Sequence, residues 1–153
     1  MDVAALARAC ADAMWADDAT SRELGLQLIS VEPGHAVLVM TVTETMVNWH
    51  NTCHGGFIYL LADTAFGYAC NSRNQRMVAQ HCSISYLNPA RRGDRLTADA
   101  VERQRQGRSG IYDVAVKRED GTVIAEFRGH ARAIEGTIVP DTEVRARDRK
   151  SVV

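Results

Sequence analysis

The chain has 153 residues, 46% of them hydrophobic and 24% charged, with a formal net charge of −1 at pH 7. That length supports a single globular domain with a real core, and so balanced a charge gives no overall field to attract nucleic acid or an anionic membrane, so neither is expected as a partner. Cys10, Cys53, Cys70 and Cys82 form no C-x-x-C pair and no leader pattern opens the sequence, which predicts free thiols in a reducing cytoplasm.

Asp2 is placed to cap a helix over residues 3–16, where Leu6, Cys10, Ala13 and Met14 recur at helical spacing, and this helix is expected to lie across the outside of the core. Residues 20–24 read as a turn. From Gly25 to Glu32, Leu26, Leu28 and Ser30 alternate with Gln27, Ile29 and Val31; Pro33-Gly34 then turns the chain into His35 to Thr43, which alternates too. The pair predicts a hairpin. Thr45 to Cys53 is irregular and delivers Asn48, Trp49, His50 and Asn51 to the start of the next element, and loop groups held on a rigid scaffold commonly carry function.

That next element, His54 to Cys70, organises the rest. Its apolar residues go all round a helical wheel, so it is expected to be buried on every side. It is shorter than the roughly 20 apolar positions a membrane span needs. Asp63 is its only carboxylate, with no Lys or Arg between His54 and Ser72. Burying an unpaired charge is costly, and such breaches of stability logic tend to mark functional sites; the competing reading has Asp63 at a helix edge, bonded to a neighbour. Gly55 and Gly56 open the helix, where unpaired amides at the positive end of the dipole can hold an oxyanion, or where two glycines merely permit a tight entry. Eight residues separate Gly55 from Asp63, about 12 Å at 1.5 Å per residue. One small group cannot touch both, so a shared site requires Gly55 of one chain to work with Asp63 of a second, in a two-fold dimer.

After a polar turn from Asn71 to Arg76, four strand-like runs follow: Met77 to Leu87, Leu96 to Arg105, Gly110 to Arg118 and Thr122 to Ile134, joined through Pro89 and Gly93, Gly107, and Asp120-Gly121. The tail from Glu135 is expected to fray, which sets a single domain at residues 1–140 and a flexible charged tail at 141–153. The order predicts an α+β fold: a curved, mainly antiparallel sheet wrapped around one long central helix, with an N-terminal helix outside. One sheet cannot cover a helix completely, so the exposed flank again asks for a second copy. His50, Cys53 and His54 lack a fourth metal ligand, and no metal is expected; Cys53 beside His54 is equally weak as a nucleophile and base.

Asn48, His54-Gly55-Gly56, Leu61-Ala62-Asp63 and the strand Tyr112 to Val116 carry a resemblance, over roughly Arg8 to Pro140, to the hotdog fold and to its PaaI-type acyl-CoA thioesterases of phenylacetic acid degradation. The resemblance implies that Asp63 acts as general base or nucleophile, that the Gly55 amide polarises the thioester carbonyl, and that Asn48 helps place water or carbonyl. It implies that His54 shapes the loop near the thioester, or is simply a helix-start residue. Coenzyme A contacts are implied at the positions of Tyr86 to Arg91, at Arg105, Gly107, Arg108, Ser109 and Gly110, and at Arg132; the alternative is that these arginines are solvated strand ends. Gly56 joins the implied substrate contacts, and so does His81, which by alternation faces the same side as Ala79 and Ser83 and would line the acyl pocket, although a strand histidine is more often structural. Trp49 and Asn51 stand where close relatives can have glycine.

The implied substrate is an aryl- or medium-chain acyl-CoA such as hydroxyphenylacetyl-CoA or phenylacetyl-CoA, with coenzyme A as part of the substrate, no other cofactor, and a homotetramer of paired dimers. Thioester hydrolysis suits these parts, because a thiolate leaves with little proton assistance and one base with one oxyanion donor suffices. No G-x-S-x-G elbow is present. The competing readings are a noncatalytic acyl-CoA-binding module and, further off, a hotdog hydratase or dehydratase.

Overall fold

The computed structural model describes residues 1–140 and Val144. Helix α1 (Val3–Asp17) starts at Asp2, whose carboxylate accepts from the Ala5 amide at 2.7 Å. Where the sequence predicts a turn, a short helix forms instead, α2 (Ala19–Glu23). Its cause is Asp18, which closes α1 and caps α2 by accepting from the Ser21 amide and hydroxyl at 3.1 and 2.7 Å.

The strands are β1 (Gln27–Glu32), β2 (His35–Thr41), β3 (Met77–Tyr86), β4 (Arg95–Gln106), β5 (Ser109–Lys117) and β6 (Val123–Ala133), and the central helix is α3 (Gly55–Cys70). They form one six-stranded sheet in the order β1-β2-β4-β5-β6-β3. Every pairing is antiparallel, and α3 packs against all six strands, so the expected α+β hotdog architecture holds. Pro33 and Gly34 (φ +72°) make the first hairpin's turn. Small inner-face residues, Ala36, Ala98, Ala100 and Ala131, let α3 sit close to the sheet. At Gly129 the approach is tightest: a Cβ there would lie 2.7 Å from the Phe66 ring.

The register shifts in four of the five strand pairings, in β5 between Val116 and Lys117 and at three places that bear on the faces. In β1 the register slips between Leu28 and Ser30, so Leu28 opposes Leu38 and Val31 opposes Ala36, both on the inner face, while Ile29 is left exposed. In β3 the slip lies between Ala79 and His81, and in β4 between Glu102 and Gln104.

The segment from Glu135 to Pro140, expected to fray, is anchored. Asn74 accepts from the Ile138 and Val139 amides at 3.0 and 2.8 Å and donates to the Val139 carbonyl, and Val139 packs on Ala9 and Cys10. Apart from Val144, the tail assigned to 141–153 lies outside the described residues. Among the described residues no helix is long and apolar enough to cross a membrane.

Candidate active site

The loop before α3 is held by its own polar groups. Asn48 Oδ1 accepts from the His50 amide at 2.9 Å and from the Thr52 amide and hydroxyl at 3.2 Å each, while Asn51 takes a left-handed φ of +63°. Its Oδ1 is therefore committed to the loop, and its Nδ2 hydrogens have no acceptor among the described residues. Cross-links from the Cys53 amide to the Ala90 carbonyl and from the His54 amide to the Met46 carbonyl, both 2.7 Å, then fix the start of α3.

His54 is the N-cap. Its Nδ1 accepts from the Gly56 amide at 2.8 Å, which puts the neutral ring's proton on Nε2. Gly56 keeps that cap possible, since a Cβ there would meet Nδ1 at 2.9 Å. The Phe57 amide bonds back to the His54 carbonyl at 3.0 Å. The Gly55 amide alone among these first three has no acceptor among the described residues. Its carbonyl accepts from the Tyr86 hydroxyl at 2.8 Å, and Gly55, Ile58, Tyr86, Pro89 and Ala90 line a cavity of about 400 Å³.

Asp63 lies eight residues further along α3, half-buried, and neither a hydrogen bond nor an ion pair reaches its carboxylate among the described residues. Desolvation by burial pushes its pKa above the ordinary aspartate value. The polar side chains it influences are Tyr59, Cys70 and Cys82. The stripe of α3 that the sheet leaves only partly covered runs through Phe57, Leu60, Thr64 and Gly67.

The remaining residues named from the sequence fall in two other places. Arg105, Gly107 and Arg108 line a second cavity, of about 410 Å³, with Ile134 and Gly136, and Ser109 and Gly110 continue from it along β5. Arg105 influences Cys70 at the C-terminal end of α3, so this group lies by the opposite end of the helix from Gly55. Arg132 and His81 are on the outer face of the sheet. The β3 bulge turns His81 away from the side that carries Ala79 and sets its ring edge-on to His130, centroids 5.6 Å apart, so within the protomer it does not face α3. Arg91 directly follows the first cavity's wall, its amide donating to Asp94 at 2.7 Å.

The thiol of Cys53 is buried and pushed up to about 11 by that burial and by Asp94, which disqualifies it as a nucleophile at neutral pH. His50 stacks on Trp49 instead, centroids 3.5 Å apart. Two neighbours of Asp63 escape the sequence reading. Tyr59 could have been found from its spacing of four residues, whereas the inward turn of Cys82 depends on the bulge.

The chain belongs to the thioesterase superfamily, which matches residues 50–125, and it is a thioester hydrolase of the PaaI type. It is 45% identical over 128 residues to acyl-coenzyme A thioesterase PaaI of Escherichia coli (strain K12), covering 84% of this chain and 91% of that protein. A putative esterase of Archaeoglobus fulgidus is 33% identical over 77% of each chain. Among solved structures, the PaaI protein from the E. coli phenylacetic acid degradation operon superposes with a TM-score of 0.87 at 43% identity, over 89% of this chain and 99% of that one. A mutant form of the phenylacetic acid degradation protein PaaI from Thermus thermophilus gives 0.73 at 37% identity, over 75% and 98%.

Proposed function

We propose that the protein hydrolyses an aryl- or medium-chain acyl-CoA, phenylacetyl-CoA and hydroxyphenylacetyl-CoA among them, to the free acid and coenzyme A. The observation that carries this reading is an unpaired, desolvated Asp63 on the helix whose first amide, at Gly55, is left open. Asp63 removes a proton from water as the water oxygen bonds to the thioester carbon, and the carbonyl oxygen takes up the negative charge at the Gly55 amide of the partner subunit. Collapse breaks the C–S bond, the thiolate of coenzyme A leaves, and the proton held by Asp63 returns to it. Asn48 Nδ2 donates to the water or the carbonyl oxygen, and the ring of His54 stiffens the turn that aims both. Coenzyme A itself is the only further group the reaction uses, and its phosphates are met by arginines at Arg91, Arg105, Arg108 and Arg132.

A homodimer follows from the separation of Gly55 and Asp63. Supporting it, β3 is a ten-residue edge strand with neither Lys nor Pro, pairs only with β6 among the described residues, and offers a second copy its free side, while the other edge, β1, is six residues long and packed by α1. Two dimers then pair as a homotetramer, and four unpaired cysteines suit the cytoplasm. The test is thiol release from a panel of acyl-CoAs, with Asp63→Ala alongside. Turnover by the wild type, lost in Asp63→Ala while calorimetric affinity persists, is expected; affinity without wild-type turnover would mean a binding module instead.

A further inference from the structure

The outer face of the sheet, turned away from α3, carries a pair of side chains that the proposed hydrolysis does not use. His81 of β3 and His130 of β6 are directly opposed in the antiparallel ladder, and their rings stand edge-on with centroids 5.6 Å apart and planes at 82°. The bulge after Ala79 makes this pair, since unbroken alternation would send His81 to the inner face with Ala79. His81 is exposed and His130 half-buried. Among the described residues neither ring has a hydrogen bond or an ion pair, whereas His35 bonds Asp99 at 2.6 Å and His54 caps α3. A neutral imidazole carries one nitrogen lone pair, so two unclaimed lone pairs share one patch of the sheet.

Two imidazoles that hold one tetrahedral ion through bonds of about 2 Å stand with their centroids about 5 Å apart. The observed spacing is close to that, and turning the rings about their soft second torsion aims both lone pairs at one point. The surroundings decide which ion fits. Arg128 and Arg132 flank His130 along β6, and Ile111 opposes it on β5. Asp113, also on β5, is committed to Arg103 and Arg128 at 2.7 to 2.9 Å. No third His, Cys, Asp or Glu completes a metal-binding group among the described residues. A hard cation such as Mg²⁺ or Ca²⁺ therefore finds no carboxylate to bind it, whereas an ion that bonds imidazole strongly needs none.

We propose that His81 and His130 form a two-imidazole site for a late first-row divalent cation such as Zn²⁺, with solvent in the remaining positions. The ion ties the edge strand β3 to β6 on the face opposite the reacting groups, so it holds the edge and takes no part in the hydrolysis. The site stands whether or not the chain cleaves thioesters. The test uses the whole chain, untagged and freed of metal with a chelator, then dialysed against micromolar Zn²⁺ alone and read by elemental analysis. Wild type should take up about one ion per chain at this site, and His81→Ala or His130→Ala should each weaken that uptake at least about tenfold, because either change leaves one protein ligand. His35→Ala and His50→Ala should match wild type. Zn²⁺ should also raise the Tm of wild type and not that of the two site variants, since an ion bound only by the folded chain stabilises it. If the metal-free Tm shows an alanine variant to be unfolded, His81→Gln or His130→Gln takes its place. Wild type that takes up no Zn²⁺ overturns the inference. So does uptake undiminished in His81→Ala and His130→Ala, or lost only in His50→Ala, which would move the ion to the loop before α3.

Discussion

Two acids on the inner side of the sheet are treated in opposite ways. Glu102 accepts from Arg73 at 2.6 Å and from the fully buried Tyr112 hydroxyl at 3.0 Å. Burial pushes its carboxyl up, but these bonds and the Arg73 charge more than offset that and hold it below the ordinary glutamate value. Asp63, on the neighbouring helix, has no such partner among the described residues, and burial alone raises it. The fold can therefore satisfy a half-buried carboxylate and does so where the role is structural. At Asp63 it withholds the partner among the described residues, and on the proposed reading that leaves a basic oxygen pair free for proton transfer.

The comparison breaks most visibly at Asp63. Replacing it with Asn should lower kcat by about 10²- to 10⁴-fold, the usual contribution of a positioned base, with substrate affinity retained. A variant within a few-fold of wild type in steady-state thiol release would remove Asp63 from the chemistry. Next in size is the open amide. Pro is tolerated at the first position of a helix, and His54, at φ −58° and ψ 131°, is already in the conformation that precedes proline. Gly55→Pro should thus keep the fold and lose about 10²- to 10³-fold in kcat. Gly55→Ala, which crowds Tyr86 at 3.0 Å but keeps its N–H, should lose much less. Equal losses in the two variants would show that the amide is not the oxyanion donor.

On the paired side the expected effect is on stability. Glu102→Ala strands the Tyr112 hydroxyl and should cost about 1–3 kcal/mol, read from denaturant unfolding. Because the folded-state pKa of Glu102 is depressed, its contribution is fully present above the unfolded value and fades as pH falls through the folded one. The gap between wild type and Glu102→Ala should therefore narrow in strong acid, to what the Tyr112 hydrogen bond to a neutral carboxyl still contributes. The smallest effect has the opposite sign. Asp63 has a raised pKa, so its ionisation costs folding free energy at neutral pH, and Asp63→Asn should melt slightly higher than wild type there. That gain should vanish below the unfolded aspartate value, and the acid limb of kcat/KM should lie above where an ordinary aspartate would put it.

Much of this arrangement could be read from residue order. The all-round apolar surface of α3, the lone Asp63 and the paired glycines pointed to the core, a candidate base and the helix start, because each is a local rule broken or kept within a few residues. What escaped was non-local. The bulge in β1 and that in β3 swap faces in mid-strand, so the alternation through Leu28 and Ser30, and the siding of His81 with Ala79, did not survive. Asp18 reads as the end of one helix, yet it also begins another. Asn74, sixty-odd residues from Val139 in sequence, holds down a segment whose composition suggests fraying. Helix ends, faces and clamps of this kind are decided by partners distant in the chain, and no short window contains them.

One side of the Asn48 amide is saturated by three hydrogens from its own turn. A group that reaches this amide finds its oxygen occupied and only the Nδ2 hydrogens free among the described residues, so at this one point it must offer a lone pair. The polarity of the guest is thus imposed by a tight bend of backbone, before any reacting group has been engaged.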